Sequence, residues 1–505
     1  MQSPSRSWLA AGILLLVGLV LRVPRLTQSI WFDEAFRTFV VLKAENARSI
    51  LLHDVHNPLY NACMYIWIRV FGDSELSIRT PVLLAGTAMI VIMWRWIRER
   101  FGVAPAWWAA AFLTVNPVHI WYSCEAKNNM FTVLLVTLTL WRLDALARTL
   151  TARDVTLAAI AGALAIWTDF QSLLVLPAVW LAWTWIFARD PQRMRAWMVP
   201  LTAAAGSLLL ASPLLVFKAQ RLDDLDRHYL SYFHWYEPFR MLLVYFPTGN
   251  ALVPTIRATW PFAALAFAPF VLPALIWGIA KLRTASHGRI MLIVLCMPML
   301  IMWIGSEIFV QSGSSVRIFQ DRNVLVMLPA VAMVLAVGAY SLKTRAGIVL
   351  SRWGLLLLTL ASSIALISWN REQRTVMYPN THWRQAAAWI RTDARSSQVL
   401  VVSRTPLLAM EYYMPADSVV HLPSRKPLEE TLPTLIKNEA LTAASEFYFI
   451  QHDYRSSFTE ESLAWFDANF ETLATHNELH LSIRRVRPRS IPLPVSPAPL
   501  TPAPE

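Results

Sequence analysis

The sequence predicts a mostly α-helical, polytopic membrane protein of about eleven transmembrane helices, with a small outer α/β domain at its C-terminal end. Three observations carry this reading. Of 505 residues, 56% are hydrophobic and only 15% charged, and the mean hydropathy is +0.42; a soluble globular chain is about one quarter charged. Apolar runs long enough to cross a bilayer recur from Ser7 to Trp369. Beyond Trp369 they stop, and short helix-like and strand-like segments alternate. The composition excludes a wholly soluble enzyme, a disordered chain and a collagen-like chain. The 23 Trp residues suit rings anchored at membrane interfaces. The net charge of +12 is not by itself a nucleic-acid signature, because what matters is where the cations fall.

A transmembrane helix needs roughly 20 mostly apolar residues. The candidates are Ser7–Val23, Ile78–Ile97, Pro105–Tyr122, Met130–Ala147, Val155–Thr168 and Ser172–Phe187. They continue with Trp197–Phe217, Thr259–Ala280, Ile290–Phe309, Asn323–Leu342 and Ile348–Trp369. Only Asp169–Gln171 separates the short fifth and sixth runs, so one of these two is open to a re-entrant reading. Orientation follows the Lys/Arg bias of short loops. Every second loop is basic: Arg95, Arg98 and Arg100; Arg142, Arg148 and Arg153; Arg189, Arg193 and Arg195; Lys281, Arg283 and Arg289; Lys343 and Arg345. These loops and the N-terminus are placed inside, and everything after Trp369 outside. The first run also resembles a signal peptide, but no small-x-small cleavage site follows and the loop alternation needs it retained.

The first outer loop, Pro24–Ser77, holds two amphipathic stretches, Glu45–Asp54 and Asn57–Phe71, expected along the membrane surface. The second, Lys218–Ala258, is rich in aromatics (Tyr229, Tyr232, Phe233, Trp235, Tyr236) and fits either an interfacial belt or a flap over a cavity. After Trp369, helices are expected at Thr381–Thr392, Pro406–Met414, Leu428–Asn438 and Glu460–Asn469. Strands are expected at Gln398–Ser403, Ser418–Leu422, Glu446–Gln451 and Leu479–Val486. The domains are therefore 1–369, 370–486 and a disordered Pro-rich tail, 487–505. No Gly-rich phosphate loop is present, so a nucleotide site is not expected. Cys63 and Cys124 both fall outside, where a disulfide or two separate thiols is allowed. No Cys/His spacing suggests zinc.

Polar residues close to membrane spans are functional candidates. Four clusters fall at the outer face. Trp31-Phe32-Asp33-Glu34-Ala35 follows the first span. Adjacent carboxylates point in different directions, so this reads either as one working acid beside a structural one or as an acidic pair at a helix N-terminus. His53-Asp54-Val55-His56-Asn57-Pro58 reads as a polar turn, because Pro58 pushes Asn57 out of helical geometry and suits the first turn of a new helix. Trp121-Tyr122-Ser123-Cys124-Glu125-Ala126-Lys127 lies between the third and fourth spans, and Phe319-Gln320-Asp321-Arg322-Asn323 precedes the tenth. Arg79 opens the second span from the same side, where a snorkelling cation is the bland alternative.

These residues resemble a family. Asp33-Glu34, His53–Leu59, Phe71–Glu75 with Arg79-Thr80-Pro81, and Tyr122-Ser123-x-Glu125-Ala126-Lys127 are similar to motifs of protein O-mannosyltransferase-like membrane glycosyltransferases (glycosyltransferase family 39 and relatives). Asp321-Arg322 with Pro329, and Thr381-His382-Trp383-Arg384, resemble later stretches of that family. Asn57 replaces a proline and Lys127 an arginine. The resemblance implies the C-type glycosyltransferase fold and transfer of a sugar from a polyprenyl-phosphate donor to a protein, glycolipid or glycan acceptor. The expected location is a bacterial inner (plasma) membrane, with transfer on its outer face.

The residue inventory suits that chemistry. A lipid phosphate is already a good leaving group, so no general acid is needed, unlike glycoside hydrolysis. One base for the acceptor hydroxyl and cations for the phosphate are required. Asp33 is the expected base, with Glu34 able to exchange roles. Arg79, Lys127 and Arg322 are the expected cations, and Glu125, His56 and Tyr122 complete the donor site. Single displacement with one carboxylate predicts inversion. No cofactor is expected; were a divalent metal used, Glu125 would be a ligand, with Asp33 or His56 as companion. The rival readings are a lipid or solute transporter or flippase, which would place charge at mid-membrane, and a non-catalytic membrane-anchored binding protein.

Overall fold

The structure is a computed structural model and describes residues 4–53, 57–189, 197–219, 235–249, 256–284, 286–311, 321–371, 382–394, 400–403, 408–414, 418–422, 427–438, 445–452, 459–478 and 481–489. It divides into two compact units. One comprises Met1–Thr27 and Val40–Tyr378, the other Gln28–Phe39 and Pro379–Glu505.

In the first unit, nine helices among the described residues are long and apolar enough to cross a membrane. They are Leu9–Leu26, Glu75–Phe101, Asn129–Thr149, Ser172–Arg189, Met198–Val216, Thr259–Leu282, Gly288–Gly305, Asp321–Ser341 and Arg345–Ser368. The two remaining expected spans take other forms. Pro105–Tyr122 is two helices, Val103–Val115 and Pro117–Tyr122, broken at Asn116. Pro117 drives Asn116 into an extended conformation (ψ 124°). The Asn116 side chain then accepts the His119 N–H at 3.0 Å, capping the second helix. Val155–Thr168 is the 17-residue helix Ala152–Thr168, started by a Thr151 cap and ended at Asp169.

Burial orders the bundle. The most apolar part of Asp321–Ser341 is 89% buried, against 22% for the first span, so the former is a central helix and the latter a lipid-facing one. Two glycines let the Asp321–Ser341 and Thr259–Leu282 helices touch through their backbones: a Cβ on Gly338 would strike the Ala274 carbonyl, and one on Gly278 the Val334 carbonyl. Small residues serve this purpose in membranes, where close packing replaces the hydrophobic drive between helices. The one deeply buried acid of the Asn129–Thr149 helix, Asp144, is paired with Arg100 and accepts the Trp96 indole N–H at 2.9 Å.

Both amphipathic stretches hold helices, Ala47–His53 and Pro58–Phe71, the latter with Pro58 in its first turn. Most of Lys218–Ala258, including Tyr229, Tyr232 and Phe233, lies outside the described residues, as do Asp54, Val55, His56 and the tail beyond Arg489. In the remainder of that loop Trp235 is exposed and Tyr236 stacks on Trp260 with centroids 5.1 Å apart. Cys63 and Cys124 are unpaired thiols.

The second unit is built on a five-stranded sheet, β1 (Val401–Ser403), β2 (Val419–His421), β3 (Phe447–His452), β4 (Phe470–Glu478) and β5 (Leu481–Pro488), in the order β2-β1-β3-β5-β4. The first three strands are parallel and joined through helices; β5 runs antiparallel to both β3 and β4. Val402, Leu428, Leu432, Phe447, Phe449, Phe466, Phe470 and Val486 form its core. Each expected helix and strand has its counterpart. Among the described residues beyond Trp369, β4 alone is additional: an edge strand with a register shift between Thr472 and Ala474 and one buried residue, Phe470, so its sequence alternates too weakly to announce it.

Candidate functional site

In the second unit, the acidic pair begins the helix Phe32–Leu42. The Ala35 N–H donates to the Trp31 carbonyl at 2.9 Å, which makes Trp31 the residue before the first turn. Glu34, at the third helical position, accepts the Trp31 N–H at 3.3 Å, the returning arm of a capping box. Thr38 donates its hydroxyl to the Glu34 carbonyl at 2.9 Å. Glu34 is thus fully buried and committed to the turn, whereas Asp33, one position earlier, is half-buried. Both carboxylates lie in the first turn of the helix. Upstream, the Ile30 N–H donates to the Tyr413 hydroxyl at 2.8 Å. Ser29 donates to Gln385 Oε1 at 3.1 Å and accepts the Arg384 N–H at 3.2 Å.

In the first unit, residues Tyr122–Asn129 are all buried. Arg22 organises this turn from the first helix. Its guanidinium donates to Ser123 Oγ at 3.0 Å, to the Thr114 carbonyl at 3.1 Å and to the Gly18 carbonyl at 2.8 Å, and it meets His119 Nδ1 at 2.8 Å. A guanidinium has no lone pair to offer, so His119 Nδ1 accepts and its proton sits on Nε2. A Cβ on Gly86 would come within 2.6 Å of Ser123 Cβ, so the second span approaches the turn at the one residue that allows it. The Arg25 guanidinium lies 3.5 Å from the Trp121 ring centroid, a cation–π contact that is strengthened by burial.

The expected site residues divide as follows. Arg79 is buried, and its Nη1 donates to the Arg25 and Leu26 carbonyls, both at 3.1 Å, so it clamps the last turn of the first helix. Tyr122 accepts the Tyr245 hydroxyl at 3.3 Å. Glu125 accepts the Asn129 amide at 3.4 Å, and its carbonyl accepts the Lys127 N–H at 2.6 Å. Lys127 is buried. Arg322 is half-buried on the short helix Asp321–Met327, which packs on the Asn129–Thr149 helix and on the Phe170–Leu174 turn. Lys127 lies in the turn that leads into the Asn129–Thr149 helix, and Asn128, beside it, bonds Asp169 just before the Phe170–Leu174 turn. His56 lies outside the described residues. Among the described residues no group of three or more His, Cys, Asp or Glu is placed to hold a metal ion.

Sequence reasoning missed Arg22, His119 and Arg240. Arg22 carried a signal, a cation within an apolar run. His119 follows the Asn116-Pro117 break, the same Asn-Pro signal read at residues 57–58. Arg240 lies in a loop with no pattern to mark it.

Residues 55–217 match the model of the family described as dolichyl-phosphate-mannose-protein mannosyltransferase, a stretch that includes Arg79, Tyr122, Glu125 and Lys127. The apo structure of ArnT from Cupriavidus metallidurans aligns over 98% of this chain and 100% of its own, at 12% identity and a TM-score of 0.61. The same protein bound to undecaprenyl phosphate aligns over 96% and 98%, at 11% identity and a TM-score of 0.61. The apo oligosaccharyltransferase of Archaeoglobus fulgidus aligns over 89% of this chain and 70% of its own, at 11% identity and a TM-score of 0.52. No curated protein matches in sequence. These alignments show the C-type glycosyltransferase fold, here in an integral, multi-pass membrane protein. The similarity to the mannosyltransferase family is confined to residues 55–217.

Proposed function

We propose that the protein transfers a sugar from a polyprenyl-phosphate donor to an acceptor hydroxyl on the extracytoplasmic face of a bacterial inner membrane, by single displacement with inversion. Asp33 is the base. The observation that carries this is the division of labour in the acidic pair: Glu34 closes the helix cap and is buried, while Asp33 is the more exposed acid. As the acceptor oxygen attacks the anomeric carbon, its proton passes to the Asp33 carboxylate, the glycosidic C–O bond breaks, and the electron pair leaves on the lipid phosphate. Lys127 and Arg322 neutralise the phosphate, with Arg79 as a further positive charge fixed by its bonds to the first helix. Tyr122, Glu125 and His56 line the donor sugar. Such a mechanism needs no metal, because the leaving group is a monoester phosphate that cations can stabilise. Basic loops on alternate sides support a cytoplasmic N-terminus and an extracytoplasmic C-terminal domain. The undecaprenyl phosphate bound in the Cupriavidus metallidurans relative supports a polyprenyl donor.

The test is mass spectrometry of envelope glycans, glycolipids and glycoproteins from cells with and without the protein, followed by transfer from labelled polyprenyl-phosphate mannose by the purified chain. A conjugate that disappears with the protein supports the reading. Lipid translocation with no conjugate lost would replace it with a transporter.

A further inference from the structure

We infer that the C-terminal α/β unit is the positioning device for the segment that carries Asp33, with Tyr413 and Ser29 as its contact points. This rests on Asp33 being the base. Residues Gln28–Phe39 cluster with Pro379–Glu505, although some 340 residues of chain separate them. The reason lies in unpaired backbone groups. Ile30 is fully buried and precedes the helix, so its N–H has no partner within that helix; a buried N–H must be paired. The Tyr413 hydroxyl accepts it at 2.8 Å. The reverse need exists on the other side. The helix Trp383–Asp393 starts at His382, whose side chain makes no cap bond. Ser29 supplies the cap, its Oγ accepting the Arg384 N–H at 3.2 Å while it donates to Gln385 at 3.1 Å. Each segment thus completes the other's helix entry. With Glu34 closing on Trp31, three consecutive residues, Ser29, Ile30 and Trp31, are held by hydrogen bonds just upstream of Phe32-Asp33.

The consequence is kinetic. A base displaced by about 1 Å loses on the order of 10²-fold in rate, so a partial loosening costs less. Tyr413→Phe removes the acceptor of the Ile30 N–H but keeps the ring. It is expected to lower turnover roughly fivefold to tenfold, the worth of one hydrogen bond. Hydrogen exchange on the full-length protein in detergent, for wild type, Tyr413→Phe and Ser29→Ala, reads the positioning directly. Faster exchange confined to residues 28–36, with β3 and β5 unchanged, is expected. Exchange that is unchanged there, or faster through β3 and β5 as well, overturns the inference.

The second arm is the rate at which the missing conjugate reappears, per amount of membrane protein, in cells given Tyr413→Phe, Asp33→Asn or both. A device acting through Asp33 predicts that the double variant is no slower than Asp33→Asn alone. A further multiplicative loss in the double variant would show a merely structural role and overturn the inference. Tyr413→Phe at wild-type rate beside an inactive Asp33→Asn overturns the positioning and leaves the base assignment intact. Asp33→Asn at wild-type rate removes the base assignment and this inference with it.

Discussion

Arg240 holds Asp321 at 2.6 Å and Glu237 at 2.7 Å, so the acid next to Arg322 is already paired. Burial works against the Arg240 cation, but the charges of Asp321 and then Glu237 outweigh it and hold its pKa above the ordinary arginine value. Arg240→Met would leave two acids of this cluster without their shared cation. Breaking a buried pair from one side costs about 3–5 kcal/mol, and the expected result is a clear fall in the thermal midpoint of the purified protein. Arg240→Lys should recover only part of it, because an ammonium does not reproduce the guanidinium fork.

Asp33→Asn keeps the shape of the side chain and removes the base. General-base catalysis is worth about 10²–10⁴-fold, so turnover should fall by that order with the donor KM largely kept. Glu34→Gln retains an oxygen that can accept the Trp31 N–H, so its loss should be smaller. An active Asp33→Asn beside an inactive Glu34→Gln would transfer the role to Glu34.

Arg79→Lys removes the planar donor that reaches the Arg25 and Leu26 carbonyls. Both stability and activity should drop, even though the charge is conserved. Lys127→Met should instead raise the donor KM, since it removes a cation and keeps a stem of similar length, and Lys127→Arg should restore the donor KM more fully than it does the stability of the fold. Kinetics and thermal unfolding of these variants separate a clamp from a ligand.

Gly338→Ala inserts a methyl group where the Ala274 carbonyl already stands. Overpacking costs typically 1–3 kcal/mol, and this contact is with backbone, which yields least. Reduced yield of folded protein in membranes is expected. A Gly12→Ala control, whose Cβ meets nothing within 4 Å, should behave as wild type.

A reporter active only outside the cytoplasm, fused after Trp369, is expected to be active, and one fused after Arg345 inactive. The five basic loops motivate this. The opposite pattern would invert the orientation and move the proposed chemistry to the other side.

Most of the fold was legible in the sequence because membrane partition responds to local averages. About 20 apolar residues make a span wherever they occur, and the C-terminal alternation reports burial one element at a time. The acidic pair, Arg79 and the Tyr122–Lys127 turn were legible as motifs. Tertiary structure decided what lies between distant residues. Nothing near Glu34 in the chain says that it, and not Asp33, folds back on Trp31, because both spacings offer a cap. Nothing near Ile30 says that its N–H finds Tyr413, or that Arg240 pairs with Asp321. A sequence pattern records that a group must be buried and paired; only the folded chain chooses the partner, because that choice depends on which surfaces meet.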